Sequence, residues 1–183
     1  MPEKHSKKRQ EGATKAQRIT VRAHEFLLVD KDNNVRGAFG MGPDNHPQIM
    51  LRGENRIPWF IVNIHDNAPA MWLFDKEGRP RFELHLDEYG DEVTLSMKDG
   101  NGVARVLVGM AETGSSHIVL QDAEKRMRAV VAYFPSDAFK PATTKIALLN
   151  AQGDESAGLM AVDGLPGLLK VGIVREQSHQ ETE

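Results

Sequence analysis

The sequence contains no cysteine. That one absence removes disulfide frameworks, thiolate zinc sites and cysteine nucleophiles, and it fits a reducing compartment. Long apolar runs are missing too: nowhere do about 18 apolar residues stand together, so no membrane-spanning helix is expected. The opening residues, MPEKHSKKRQEGATKAQR, carry charge with no apolar stretch behind it, unlike a secretory leader. No segment shows the 3.6-residue apolar stripe of an amphipathic helix. Aromatic residues are sparse, at 6% of the chain with two tryptophans. These gaps lead to the expectation of a soluble, cytoplasmic protein without a membrane segment.

What is present is ordinary for a globular domain. Hydrophobic residues make up 40% and charged residues 27% of 183, enough for one core of usual size. The net charge of −3 is unevenly spread. Lys4, Lys7, Lys8, Arg9, Lys15 and Arg18 outweigh Glu3 and Glu11, so residues 1–18 carry +4 and the remainder −7. Residues 1–17 therefore read as a basic disordered arm, 18–174 as a single domain and 175–183 as a polar tail. An acidic body without a basic stripe argues against a nucleic-acid domain, leaving only the arm for such contacts.

A repeat organises the chain. Placed in register, six windows align on Asp30, Gly53, Asp75, Asp99, Asp122 and Asn150, with gaps of 23, 22, 24, 23 and 28 residues. Six residues after each anchor stand Arg36, Trp59, Arg81, Arg105, Arg128 and Ser156. A steady period marks an array of one supersecondary unit. Each window reads as a β-hairpin: an apolar run such as Met71 to Phe74, a D-x-x-G-type turn, then alternation such as Phe82, Leu84, Leu86. RITVRA at 18–23 and LLKVGIV at 168–174 look like further strands at the ends. The pairs Asp30–Arg36, Asp75–Arg81, Asp99–Arg105 and Asp122–Arg128 are expected to face one another across their hairpins as structural turn contacts, because a motif repeated four times is not a unique catalytic site.

VRAHEFLLVDKDNNVRGAFGM at 21–41 and AMWLFDKEGRPRFEL at 70–84 resemble the D-x-x-G-x-x-R-A-x-L β-hairpin repeats of uncharacterised bacterial proteins. The resemblance covers roughly residues 18–162. It implies an all-β repeat fold and carries over no functional residue.

Other motifs fall short of a site. Asp30 to Asn34 begins like a calcium loop, but Val35 and Met41 stand where the EF-hand needs Gly and Glu. His65 beside Asp66, and His85 near Asp87, each pair an imidazole with a carboxylate, and His46, His65 and His117 could gather at one end of a sheet. No H-x-H or H-E-x-x-H spacing supports a metal. Ser115 and Ser116 precede His117 without a G-x-S-x-G elbow. No metal, cofactor or catalytic residue is assigned.

The departures from the repeat say more. Trp59, Phe60 and Ile61 in window two, followed by Trp72 and Phe74, form a run apolar on both faces, as in a central strand or an interface. The long PSDAFKPATT segment, with Phe139, is an extended loop on a repeat scaffold. The expectation is an all-β, up-and-down array of about six antiparallel hairpins closed as a barrel- or sandwich-like meander. A propeller, or a sheet completed by homo-oligomerisation, is the alternative. The functional reading is a non-enzymatic structural or interaction module, a scaffold or accessory subunit of a larger or homo-oligomeric assembly, with Trp59, Phe60, Trp72 and Phe74 meeting the partner. A small-molecule or carbohydrate binder using Trp59 and Trp72 comes second. A hydrolase-type enzyme using His65 or His85 comes third.

Overall fold

The structure, a computed structural model, describes residues 21–65 and 67–171. Alternating apolar residues between turn-formers produce thirteen strands. They are β1 (Glu25–Val29), β2 (Val35–Met41), β3 (Pro47–Arg52), β4 (Pro58–His65), β5 (Ala68–Phe74), β6 (Pro80–Leu86) and β7 (Val93–Lys98). They continue as β8 (Ala104–Met110), β9 (Ser116–Gln121), β10 (Met127–Phe134), β11 (Thr143–Leu149), β12 (Glu155–Val162) and β13 (Leu168–Val171). Spatial order follows chain order without exception, and every pairing is antiparallel. The molecule is all-β, an up-and-down meander of hairpins.

The turns show why the period is so regular. At each anchor, the anchor amide donates to the carbonyl of the fourth residue on, and the third residue's amide donates back to the anchor carbonyl. That third residue sits in the left-handed region: Asn33, Arg56, Gly78, Gly102, Lys125 and Gly153 in turn. The connections at the other end of the sheet do the same with Asn45, Asn67, Gly90, Gly114 and Gly164. Only the loop between β10 and β11 has no such residue. The anchor carboxylate completes the turn: Asp75 accepts the amides of Glu77 and Arg79, and Asp99 those of Asn101 and Val103. An Asp or Asn that bonds its own backbone in this way stabilises the turn conformation.

The slot six residues past the anchor has a geometric meaning. Leu28 pairs with Gly37 but Val29 with Val35, which leaves Arg36 as the extra residue of a β-bulge. The same skip leaves Trp59, Arg81, Arg105, Arg128 and Ser156 unpaired in their own hairpins. A bulge bends the strand and re-aims its side chain. The slot is thus defined by backbone geometry, and it keeps its place even where the residue is not arginine.

Register assigns every strand residue to one of two faces, because paired residues share a face and neighbours in sequence alternate. One row runs from Phe26 through Phe39, Ile49, Val62, Met71 and Leu84. It continues through Leu95, Val108, Ile118, Val131, Ile146 and Leu159 to Leu169. The rows on either side add no charged residue, so this apolar face is uncharged across all thirteen strands. The opposite, mixed face holds the buried strand side chains: Ala38, Met50, Ala70, Ser96, Val119, Ala132 and Ala147 among them. No side chain of the described residues is wholly enclosed.

Closure differs from the sequence expectation. Among the described residues the sheet is open: β1 and β13 each pair on one side only, so the thirteen strands form no barrel. Hydrogen-bonded register is a local property of neighbouring strands and does not by itself bring the ends together. Residues 21–23 are not strand, so of the expected strand at 18–23 the described part is absent; residues 18–20 lie outside the described residues. The C-terminal strand forms over 168–171, and 172–174 lie outside. The N-terminal arm over 1–17 and the tail over 175–183 lie outside as well. Among the described residues, no helix is long and apolar enough to cross a membrane.

Candidate functional site

The four Asp–Arg pairs all meet. Arg36 Nε lies 2.7 Å from Asp30, Arg81 Nη1 3.5 Å from Asp75, Arg105 Nη1 3.2 Å from Asp99 and Arg128 Nη1 3.9 Å from Asp122. Two of these anchors have closer partners that sequence reading missed, because they sit in the turn itself: Arg79 at 2.9 Å and Arg126 at 2.8 Å. The bulge arginines do a second job. Arg81 Nε donates to the carbonyl of Lys98 and Arg105 Nε to that of Gln121, both at 2.8 Å. Lys98 and Gln121 each immediately precede the next anchor, so the bulge arginine stitches one hairpin to the following one.

These contacts hold the anchor carboxyls low. For Asp30 the amide of Asn34 is the main cause, with the Arg36 guanidinium helping, and its pKa falls to about 2. For Asp75, loss of solvent pushes upward, but the Arg79 amide and guanidinium and the Glu77 amide outweigh it and bring the value to about 2. Asp99 and Asp122 shift the same way: partial desolvation opposes, and amide and arginine hydrogen bonds prevail. These carboxylates are already engaged and ionised, and they serve the turns.

Window two shows what replaces the ion pair. A β-carbon added to Gly53 would stand 2.6 Å from Trp59 Nε1, so the indole lies directly over the anchor backbone. Glycine at the anchor and tryptophan at the bulge are one exchange: the ring fills the space of the missing carboxylate. Asn55 then takes over the turn's polar work, donating to the carbonyl of Lys76 in the next hairpin. In window six, Asn150 accepts the amides of Gln152 and Asp154 and keeps the turn without a charge.

The aromatic residues divide. Phe60 pairs with Leu51 and Leu73 on the apolar face. Trp72, opposite Ile61, is on the mixed face, and alternation puts Phe74 there with it. Trp59, 54% exposed, borders a cavity of about 600 Å³ with Arg36, Arg52 and Glu54. Trp72 lines a different one, of about 480 Å³, with Glu83, His85 and Asp87. The two tryptophans therefore do not share a pocket. In the second cavity Glu83 is already held by Lys98 Nζ at 2.6 Å and by Ser96 Oγ at 3.4 Å.

His46 and His117 stay apart. His46 and His117 lie at the same end of the sheet but on β2–β3 and β9, about six strands or 29 Å distant. Among the described residues no group of three His, Asp or Glu is placed to hold a metal. Ser116 and His117 project to opposite faces, and the Ser115 hydroxyl is engaged by Thr113 at 3.0 Å. His85 lines the Trp72 cavity beside Asp87; the His65 side chain and Asp66 lie outside the described residues. The β10–β11 loop projects Phe139 at 94% exposure, its backbone tied by Asp137 to the amides of Phe139 and Lys140.

The largest feature was not visible in any single window: the apolar face itself. Phe39, Ile49, Leu73, Val108, Ile118 and Leu159 are all more than a third exposed. The signal lay in the sequence as the same alternating phase kept in every hairpin, but only register shows that the phases coincide. No protein-family model matches the chain, and no curated protein matches it either.

Proposed function

We propose that this chain is a non-enzymatic structural module, a cytoplasmic subunit of a homo-oligomer in which a second copy covers the apolar face. The uncharged face spanning thirteen strands carries the reading. Strand spacings of about 4.8 Å and rises of about 3.4 Å give it an area on the order of 1,000 Å². Soluble monomers rarely leave more than a few hundred Å² of contiguous apolar surface in water. Two such faces together would bury on the order of 2,000 Å², above the ~1,600 Å² of an ordinary stable interface.

Three properties favour a second copy as the occupant. Strands of four to eight residues are shorter than the roughly nine to eleven that span a bilayer. The face has no charge to address a partner of different chemistry. Its ridges repeat at one spacing, so the surface complements itself about a two-fold axis, as when two sheets pack face to face. The missing cysteines support the cytoplasmic placement.

The test is the solution mass of the full chain and of an Ile118→Lys/Val131→Lys variant, whose two changes sit opposite one another on β9 and β10. The unmodified chain is expected at a multiple of 20.3 kDa and the double variant at a lower mass. A monomeric unmodified chain at tens of micromolar sinks the proposal.

A further inference from the structure

We infer that β1 is a self-complementary edge, and that two copies join β1 to β1 antiparallel about a two-fold axis through Leu27. The inference rests on the self-association proposed above but uses a different surface, the rim of the sheet instead of its face.

An edge strand offers a row of unpaired backbone groups, and natural sheets guard it with lysine, proline, bulges or covering segments. On β1 all five residues, Glu25 to Val29, are exposed. No lysine or proline stands among them. The bulge of the first hairpin falls on Arg36 in β2 and leaves the outer side of β1 regular. Apart from Glu25 at its start, β1 is apolar on both faces: Phe26 and Leu28 on the apolar face, Leu27 and Val29 on the mixed one. Phe26 is further fixed by stacking on Phe39, with ring centroids 6.4 Å apart. At the other rim β13 is shorter, four residues, and carries Lys170.

Polarity selects the partner strand. With an odd number of antiparallel strands, β1 and β13 run in the same direction. Repeating the sheet by translation would put a parallel pair into an otherwise antiparallel ladder. Pairing β1 with another copy's β13 antiparallel would require inverting that copy, which turns its apolar face to the opposite side. A two-fold axis perpendicular to the sheet at β1 avoids both faults: the ladder stays antiparallel and the two apolar faces become one.

Register then follows from side-chain phase. Centring on Leu27 puts Leu27 opposite Leu27, Phe26 opposite Leu28 and Glu25 opposite Val29. Each pair shares a face, and the two glutamates finish at opposite ends of the seam, so no like charges meet.

The natural absence of cysteine makes the test clean. Residues directly opposite in an antiparallel pair have Cα atoms about 4.5–5.5 Å apart, within disulfide range. Oxidised full-length Leu27→Cys is expected to run as a covalent pair of chains, while Lys170→Cys run in parallel stays single. In the unmodified protein the amides of residues 26–29 are expected to exchange as slowly as those of an interior strand, and this holds even if the cysteine variant misfolds. Leu27→Cys that stays single, with fast exchange in β1 of the unmodified chain, overturns the inference. So does slow exchange in a strictly monomeric protein, which would mean that the chain's own N-terminal residues cover the edge. The two proposals separate: cross-linking of Leu27→Cys, together with a double-lysine face variant of the same mass as the unmodified chain, keeps the edge and removes the face. The reverse pattern keeps the face and removes the edge.

Discussion

The two faces of this sheet come from the same strands, residue by alternate residue, yet they solve different problems. The mixed face is self-sufficient: small residues pack closely, Glu83 is matched by Lys98 and Glu155 by Lys145, and bulge arginines tie successive hairpins together. The apolar face has large side chains, no charges and, among the described residues, no layer above it. A sheet needs apolar surface buried on at least one side to be stable. Here the side with charges is the better paired, with Asn63 Oδ1 buried and unpartnered on it, and the hydrophobic side is left uncovered by the described residues. The proposed interface therefore lies where the sequence looks most uniform, away from its conspicuous ions and tryptophans.

Adjacent residues on one strand put that contrast to work. Ala147 is 3% exposed on the mixed face and Leu148 is 51% exposed on the apolar one. Ala147→Leu forces bulk into packed space and is expected to cost about 1–3 kcal/mol at any protein concentration. Leu148→Ala is expected to cost about 1 kcal/mol in dilute solution, with the loss growing as concentration rises, because a side chain buried only in the assembly counts only there. Denaturant titrations at two concentrations a hundredfold apart decide it. Equal concentration dependence of the two variants would erase the distinction between the faces.

A smaller effect separates the turns. Gly102 and Lys125 hold the same left-handed position in successive hairpins, at φ of 79° and 63°. A residue with a β-carbon is strained there by about 1–2 kcal/mol, partly offset by the extra freedom of glycine when unfolded. Gly102→Ala is expected to lower stability by about 1 kcal/mol and Lys125→Gly to raise it by about 0.5 kcal/mol, both read by thermal unfolding.

The last effect is that of pH, and it too belongs to the mixed side and its turns. Asp30 and Asp75 titrate near 2 when folded against about 4 when unfolded. The unfolded chain therefore takes up protons first as pH falls, so the contribution of these groups is whole above about pH 5 and is lost progressively between about 4 and 2. Asp30→Asn is expected to flatten that part of the stability–pH curve, and unchanged steepness would show that the Asp30 turn does not contribute.

Much of this is legible in the sequence. The anchor spacing located the hairpins because Asp and Gly act locally, within one turn. The slot after each anchor was visible as a column of arginines, but its nature as a bulge was not, since a bulge exists only in relation to a partner strand. Windows two and six depart from the pattern in residue type and keep it in geometry: Arg56 and Gly153 take the left-handed position, and Trp59 and Ser156 the bulge. Trp59 and Trp72 border different cavities, and alternation alone does not place Trp59, because it sits at a bulge that re-aims its side chain. Closure was equally hidden, since it depends on accumulated twist over thirteen strands.

Strands that touch only their neighbours in sequence give the fold a modular length. Energetically it behaves as a one-dimensional chain of nearest-neighbour couplings, like a zipper able to fray from either end. Among the described residues every strand pairing joins sequence neighbours, so folding needs no distant loop closure and should be fast for an all-β protein. Removing one whole hairpin takes out an even number of strands, so direction, facing and the phase of every remaining row are preserved. Growth or loss by hairpins would lengthen or shorten the apolar face in equal steps, a ruler whose divisions are about 23 residues long.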